Sequence, residues 1–292
     1  MTPRVDLHMH TVASDGDLQP EELVARCAEQ GLSTIAVTDH NSTRSVARAR
    51  AACEERGLEL IPACEISTRW QDREHHLLAY FAPLDDPLFQ ERIERVRQAD
   101  VERSRRWVDN AAREGFPLRW EDVEALAGPD RVPPFALLSR ALLDAAGDDP
   151  RLARYRESRG SLFGDWFARG RPLATEAPYQ PDLREAIAWV REAGGVPVLA
   201  HPGATLGDID AETAFAELRG EGLGGVEAWT TWHGIDASQR FAALGEAAGL
   251  AVTAGADFHG PTVKPRVANP GQVTNNGPEV VDGLLRERER AG

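Results

Sequence analysis

The feature that most constrains this chain is a recurring unit: an apolar run of strand length that ends on a histidine or a carboxylate, followed by a helix closed by glycine. After Asp15-Gly16, Pro20 sits at a first helical position with Glu21 and Glu22 in the first turn, which starts a helix that should end at Gly31. Ser33 to Thr38 is then a buried strand whose exit carries Asp39-His40-Asn41. A second helix, from about Thr43 to Arg56, closes at Gly57, and Leu58 to Cys64 is the next strand, with Glu65 at its exit. In a β-α-β-α-β order, functional groups gather at the C-terminal ends of parallel strands, where His10, His40 and Glu65 fall. Glu74 to Tyr80 reads as one more short strand.

From Asp85 to about Pro178 strand signals are missing. Leu88 to Ala112 reads as a long amphipathic, arginine-rich helix. Helices follow at Trp120 to Leu126, Phe135 to Ala145 and Ser161 to Arg169, with Gly128-Pro129 and Val132-Pro133-Pro134 marking turns. This predicts a helical insertion over residues 86–177 in a barrel made of residues 1–85 and 178–292. The insertion leaves after the strand bearing His76 and returns before the strand bearing His201, so it is expected to act as a lid that selects the ester admitted. The alternation resumes with a helix from Asp182 that ends at Gly194-Gly195, and Val196 to Ala200 is a strand delivering His201-Pro202-Gly203. Gly225 to Trp229 is another, with His233 just beyond it. A helix from about Ala237 to Ala248 precedes the strand Leu250 to Ala256, which delivers Asp257-Phe258-His259-Gly260. Glu279 to Arg290 form a charged helix, read as a solvated face.

The chain has 292 residues, room for one large α/β barrel or a barrel with an insertion. No apolar run approaches the roughly 18 residues of a membrane span, and Met1-Thr2-Pro3-Arg4 shows no signal-peptide pattern, so no membrane association and a cytoplasmic location are expected. Cys27, Cys53 and Cys64 lack CxxC spacing and read as buried thiols. A net charge of -14 argues against a broad basic surface for long nucleic acid while leaving room for a small anionic substrate. Lys264 is the one lysine; almost all positive charge is arginine.

Residues two apart on a strand point to the same side, so His8 and His10 can present both imidazoles to one point, a metal-ligand geometry. Surface histidines, or core histidines paired with carboxylates, are the bland readings of such a pair. A tag remnant does not fit, because the histidines alternate with other residues and run straight into a patterned domain. Asp15 and His40 nearby favour the metal reading.

Asp6-Leu7-His8-Met9-His10, Thr38-Asp39-His40, Glu65, Glu74-His75-His76, Ala200-His201-Pro202-Gly203 and Asp257-Phe258-His259-Gly260 resemble, in order and wording, the motifs of the PHP (polymerase and histidinol phosphatase) phosphoesterases. The likeness spans nearly the whole chain. It is greatest to the branch with a helical insertion, which holds nucleoside 3',5'-bisphosphate and AMP phosphatases and the 5'-to-3' exonuclease RNase AM. The resemblance implies a distorted (β/α)7 barrel with two to three divalent ions, Mn, Fe or Zn, at its mouth. It implies His8, His10, Glu65 and Asp257 on one ion, Glu65, His76 and His201 on a second, and Asp15, His40 and His259 on a third, with Glu65 bridging. Asp15, His40, Glu65, His201, Asp257 and His259 are also the residues expected to act in catalysis. Imidazoles and carboxylates suit such ions, and two cations held close together need an anionic bridge.

Strand alternation lets only one of His75 and His76 point inward, and the family pattern favours His76. Asp6 and Asp39 either accept an imidazole N–H or cap loops. His233 reads as a substrate contact or a surface histidine, and Lys264, Arg266 and Arg140 are candidates to hold phosphate or the leaving group. The implied reaction is in-line attack on phosphorus by a metal-bound hydroxide, which needs no nucleophilic serine or cysteine. The expected substrate is a small nucleotide carrying a phosphomonoester, a 3',5'-bisphosphonucleotide or an AMP-like ester. Competing readings are a 5'-to-3' exonuclease on short RNA, a histidinol phosphate phosphatase, and a metal-stabilised module without activity. The complete ligand set argues against the last. The insertion departs from its relatives, which often carry a histidine before an Ala-Arg-Ala-Leu-like segment, where this chain has Leu137-Leu138-Ser139-Arg140-Ala141-Leu142.

Overall fold

A computed structural model describes residues 4–128, 131–156 and 161–291. Met1-Thr2-Pro3 and the Pro129 of the turn expected after Gly128 lie outside the described residues. Seven strands follow one another in chain order around a near-closed barrel: β1 (Arg4–Asp6), β2 (Leu32–Val37), β3 (Glu59–Trp70), β4 (Arg73–Tyr80), β5 (Val196–Leu199), β6 (Gly225–Thr230) and β7 (Ala251–Gly255). β1–β2–β3 and β5–β6–β7 pair in parallel, while β4 is antiparallel to both neighbours. The ends are drawn together where Leu7 N–H donates to the Ala254 carbonyl at 3.1 Å and Met9 bridges Phe258.

The reversal of β4 corrects the strand ends expected from sequence. β3 does not stop at Cys64 but runs on to Trp70, because Glu65 to Trp70 pair with Arg73 to Leu78 across a two-residue turn. Gln71 and Asp72 both take positive φ, 49° and 59°, the backbone a tight hairpin requires. Glu65 therefore lies within a long strand rather than at its exit.

Helices α1 (Pro20–Glu29), α2 (Val46–Arg56), α6 (Leu183–Glu192), α7 (Pro202–Thr205), α8 (Ala211–Gly220), α9 (Ile235–Ala247) and α10 (Glu279–Ala291) accompany the strands. α1 starts with Pro20 as expected, and α2 closes at Gly57 in the left-handed conformation. α8 was not anticipated. It is capped by Asp210, whose carboxylate accepts from Thr213 N–H at 2.9 Å. α10 is not a solvated face throughout, since its Val280, Val281 and Leu284 join Val5, Leu7, Tyr80 and Val198 in one buried cluster. A second cluster joins Leu23, Cys27, Ala49 and Cys53 of α1 and α2 to Met9, Ile35 and Val37. All three cysteines are buried and free.

The chain divides into two compact units, Met1–Val96 with Gln180–Gly292, and Arg97–Tyr179. The boundary falls within α3 (Pro87–Arg113) rather than at residue 86, because Phe89 and Ile93 are buried and Gln90 bonds Thr43 and the Pro83 carbonyl. The second unit contains the rest of α3, α4 (Trp120–Ala127), α5 (Phe135–Ala146) and, where a helix over Ser161 to Arg169 was expected, a π-helical turn at Phe163–Phe167. Its core is hydrocarbon, with Phe116, Leu138, Leu142, Leu152, Tyr155 and Phe167 among the buried side chains. No helix among the described residues is long and apolar enough to cross a membrane.

Candidate metal centre

β1 ends at Asp6, so His8 and His10 follow the strand rather than lie on it. The alternation nevertheless persists, because the segment stays bonded to the far edge of the barrel. His8 carbonyl accepts from Phe258 N–H at 3.3 Å and His10 N–H donates to the Phe258 carbonyl at 2.9 Å. Leu7 and Met9 enter the apolar clusters, and the two imidazoles share the other side, their rings 5.2 Å apart.

Both aspartates beside these histidines prove to be loop clamps. Asp6 accepts backbone N–H groups of His8, Ala256 and Gly271 at 3.2, 2.9 and 2.6 Å. Burial pushes its carboxyl up to about 6 against the pull of these donors. Asp39 accepts from Thr11 N–H and Oγ at 2.8 and 2.7 Å, from Ser14 Oγ at 2.7 Å and from Ser45 Oγ.

Glu65 is the hub. Its Oε2 faces His8 Nε2, His10 Nε2 and His40 Nδ1 at 3.2, 3.3 and 3.2 Å, and its Oε1 faces His76 Nδ1 and His201 Nε2 at 3.1 Å each. Asp257 Oδ1 lies 3.3 Å from His8 Nε2 and 3.1 Å from His10 Nε2. On the remaining side Asp15 Oδ2 is 3.2 Å from His259 Nε2 and 3.8 Å from His40 Nε2. Three overlapping groups result, each with its donor atoms within 4.8 Å of one another: His8, His10, Glu65 and Asp257; His40, Glu65 and His76; and His10, Asp15, His40 and His259. The first is the set implied by the resemblance. In the others His40 and His10 are shared, because one imidazole offers a nitrogen to each side.

The donor set fits metal ions on a direct test. His8 Nε2, His10 Nε2, His40 Nδ1, His76 Nδ1 and Glu65 Oε2 are buried and make no hydrogen bond, although they stand 3.1 to 3.3 Å from one another's partners. Lone pairs aimed at a common point, not at each other, give that combination. Ligand bonds of about 2.0–2.2 Å predict donor separations of roughly 2.8–3.6 Å at octahedral or tetrahedral corners. Burying such atoms without a partner is costly, and a cation removes the cost. Burial raises the pKa of Glu65, but the imidazoles of His40, His8 and His76 outweigh it and hold the carboxyl well below its usual range. Asp257 is likewise held down, burial being overcome by His259, His8 and Lys264, so both stay anionic at neutral pH.

His75 and His76 separate as the alternation requires. His76 faces Glu65, whereas His75 is fully buried on the opposite side with its ring 5.7 Å from Trp70. His233 is neither a surface histidine nor a free pocket group. Its Nδ1–H donates to the Ala228 carbonyl at 3.1 Å and its Nε2 accepts from Gly203 N–H at 2.9 Å, clipping the His201-Pro202-Gly203 turn to β6. A Cβ at Gly203 would sit 2.6 Å from that ring, so glycine permits the clip. His201 and Asp257 take positive φ, 25° and 51°, strained values for residues with a Cβ. Lys264 Nζ bonds Asp257 Oδ2 at 2.6 Å. Arg266 is exposed, and Arg140, in the second unit, lies 3.6 Å from Asp144.

Glu227 was missed by the sequence reading. It is fully buried, accepts from His8 Nδ1–H at 2.9 Å through Oε1 and from His201 N–H at 2.9 Å through Oε2. This fixes the His8 tautomer that leaves Nε2 free to ligate. Gly255 makes room, since a Cβ there would lie 2.6 Å from Glu227 Oε1. The available signal was an acid within the otherwise apolar run Gly225-Val226-Glu227-Ala228.

The PHP domain family matches residues 6–113. The 5'-3' exoribonuclease Rnm of Escherichia coli is 30% identical over 264 residues, 88% of this chain and 85% of that protein. The chain belongs to the PHP family. A 3',5'-nucleoside bisphosphate phosphatase of Chromobacterium violaceum is 26% identical over 88% of this chain and 87% of its own length. A solved structure from the same species, described as an amidohydrolase with bound sulfate and no metal, superposes with a TM-score of 0.81 at 26% identity, covering 99% of this chain and 96% of that one. This PHP protein is thus a hydrolase, a metal-dependent phosphoesterase for small phosphorylated substrates.

Proposed function

We propose that this PHP enzyme hydrolyses the phosphomonoester of a small nucleotide, a 3',5'-bisphosphonucleotide or an AMP-like ester. His8, His10, Asp15, His40, Glu65, His76, His201, Asp257 and His259 would hold two to three divalent ions, Mn, Fe or Zn, whose ligand preferences match this mixture of imidazole and carboxylate. The observation that carries the reading is the division of Glu65, one oxygen facing His8, His10 and His40 and the other His76 and His201, as a shared anionic ligand requires. When bound, the ions supply Lewis-acid charge for the phosphate and an activated water at neutral pH. The protein's part is positional. Glu227 orients His8, Asp6 and Asp39 clamp the loops that carry the ligands, and Lys264 brings a positive charge beside Asp257. Likeness to the C. violaceum bisphosphate phosphatase supports a nucleotide substrate, and the net charge of -14 supports a small one.

Likeness to Rnm favours a second reading, exonucleolytic cleavage of short RNA from the 5' end. Phosphate release from 3',5'-bisphosphonucleotides, AMP and histidinol phosphate, and mononucleotide release from short RNA, measured with Mn supplied, separate the readings. The first expects release from the nucleotides to dominate. Elemental analysis of chelator-free protein is expected to show two to three ions per chain, and fewer than about one would sink the ligand assignment.

A further inference from the structure

Trp232 follows β6 on the loop into α9 and is 52% exposed, more than any other aromatic residue described in the barrel unit. An exposed indole that packs no core would be expected to wander between rotamers, but this one is tethered. Its Nε1–H donates to Asp257 Oδ2 at 2.5 Å, and Lys264, bonded to the same oxygen, places Nζ 4.4 Å from the ring centroid. The other oxygen of Asp257 faces His8 and His10 in the metal centre, and the His201 ring lies 5.7 Å from the indole. One carboxylate thus anchors donor atoms on one side and an open aromatic surface on the other. The chain's only lysine completes the arrangement among 33 basic Lys and Arg side chains. Its compact ammonium sits over the ring and bonds one carboxylate oxygen at once.

From this we infer that Trp232 is a stacking platform for the nucleobase of the substrate, held at the edge of the metal centre by Asp257, with Lys264 on one face and the exposed part of the ring left for the base. The inference deepens the nucleotide reading above and rests on it. Every base has a π face, so such a platform selects nucleotides over sugar phosphates while tolerating different bases. It also explains why the ring is anchored through its N–H edge, which leaves its broad surface available.

The test uses the full chain reconstituted with Mn, as wild type, Trp232→Phe and Trp232→Leu, with AMP and ribose 5-phosphate as the pair that differs by the base. The readouts are kcat/KM, calorimetric affinity and metal content. The wild type is expected to favour AMP by about 10-fold or more, the scale of base–aromatic stacking. Trp232→Leu should lower that ratio about 10-fold, mainly through KM, and Trp232→Phe, which keeps a ring but not the N–H, should hold it within about 3-fold. The platform is overturned if the ratio survives in Trp232→Leu, or if Phe and Leu lose it equally, which would assign the effect to the indole N–H on Asp257. Metal content equal to wild type separates either result from collapse of the centre. Failure of the nucleotide reading shows differently, as absence of phosphate release from every nucleotide. Calorimetry then still decides the platform, and AMP binding no tighter than ribose 5-phosphate overturns it.

Discussion

The barrel unit and the Arg97–Tyr179 unit both bury apolar clusters, but they differ in the polar side chains buried beside them. In the barrel, His8, His10, Glu65, His201, Glu227 and Asp257 are almost wholly removed from solvent within one polar constellation. In the second unit the buried side chains are mostly apolar, Phe116, Leu138, Leu142, Leu152, Tyr155 and Phe167 among them, and its buried Asp100 lies 3.0 Å from the Arg103 guanidinium. Hydrocarbon packing stabilises without needing a partner of particular chemistry, at about 1.5–3 kcal/mol per fully buried large side chain. Converging donor atoms gain stability only when something of opposite charge joins them. The first region is preorganised for a ligand, and the second is held chiefly by apolar packing.

The sharpest way to break that contrast is at the hub. Glu65→Ala should reduce kcat roughly a thousand-fold or more and lower metal content by more than one ion, as several kcal/mol of transition-state charge stabilisation are lost with the bridge. His75→Ala, on the other face of the same hairpin, should stay within a few-fold of wild type. A Glu65 variant with full metal content, or an inactive His75 variant, would refute the assignment of faces.

Leu142→Ala in the second unit should cost about 2–5 kcal/mol in denaturant unfolding, the range for emptying a packed core site. Metal stoichiometry should not change. If the loss is under about 1 kcal/mol, or ions are lost as well, then the two regions are not divided as described.

A smaller effect is expected at Glu227→Gln. Weakening the bond that orients His8 should lower metal affinity about 10- to 100-fold, read by chelator competition, and leave the fold unchanged by circular dichroism. Wild-type affinity in that variant would make Glu227 a packing residue only.

The smallest effect lies at Glu287 of α10, a buried carboxylate away from the metal centre. Burial raises the pKa of Glu287, but hydrogen bonds from Arg219 and Arg290 overcome it and the carboxyl sits below its ordinary value, with Arg191 3.5 Å away. A depressed carboxyl contributes stability above its unfolded pKa and loses it as pH falls through the folded one. The stability gap between wild type and Glu287→Gln should therefore be constant from neutral pH to about 5 and shrink below the ordinary glutamate value of about 4.3. A gap that widens with acid would reverse the sign and remove this network from the account.

What the sequence determined by itself was what acts over a few residues. Pro20 with its following acids started α1, Gly57 closed α2, and period-two alternation separated His76 from His75. The order of the histidine and carboxylate motifs carried the family resemblance, and the fold brings most of the residues it pointed to together around Glu65. The tertiary structure decided what depends on partners far apart in the chain. Nothing local marks Glu227 as the acceptor for a histidine 219 residues away, nor Asp257 as the shared anchor of Trp232 and Lys264. The continuation of β3 through Glu65 was settled by pairing with β4, and Asp6 and Asp39 became loop clamps because the N–H and hydroxyl donors around them arrived from other segments. Propensity and capping are local free energies. A buried carboxylate takes whichever donors the completed barrel brings to it, since leaving it without any would cost more than any local preference.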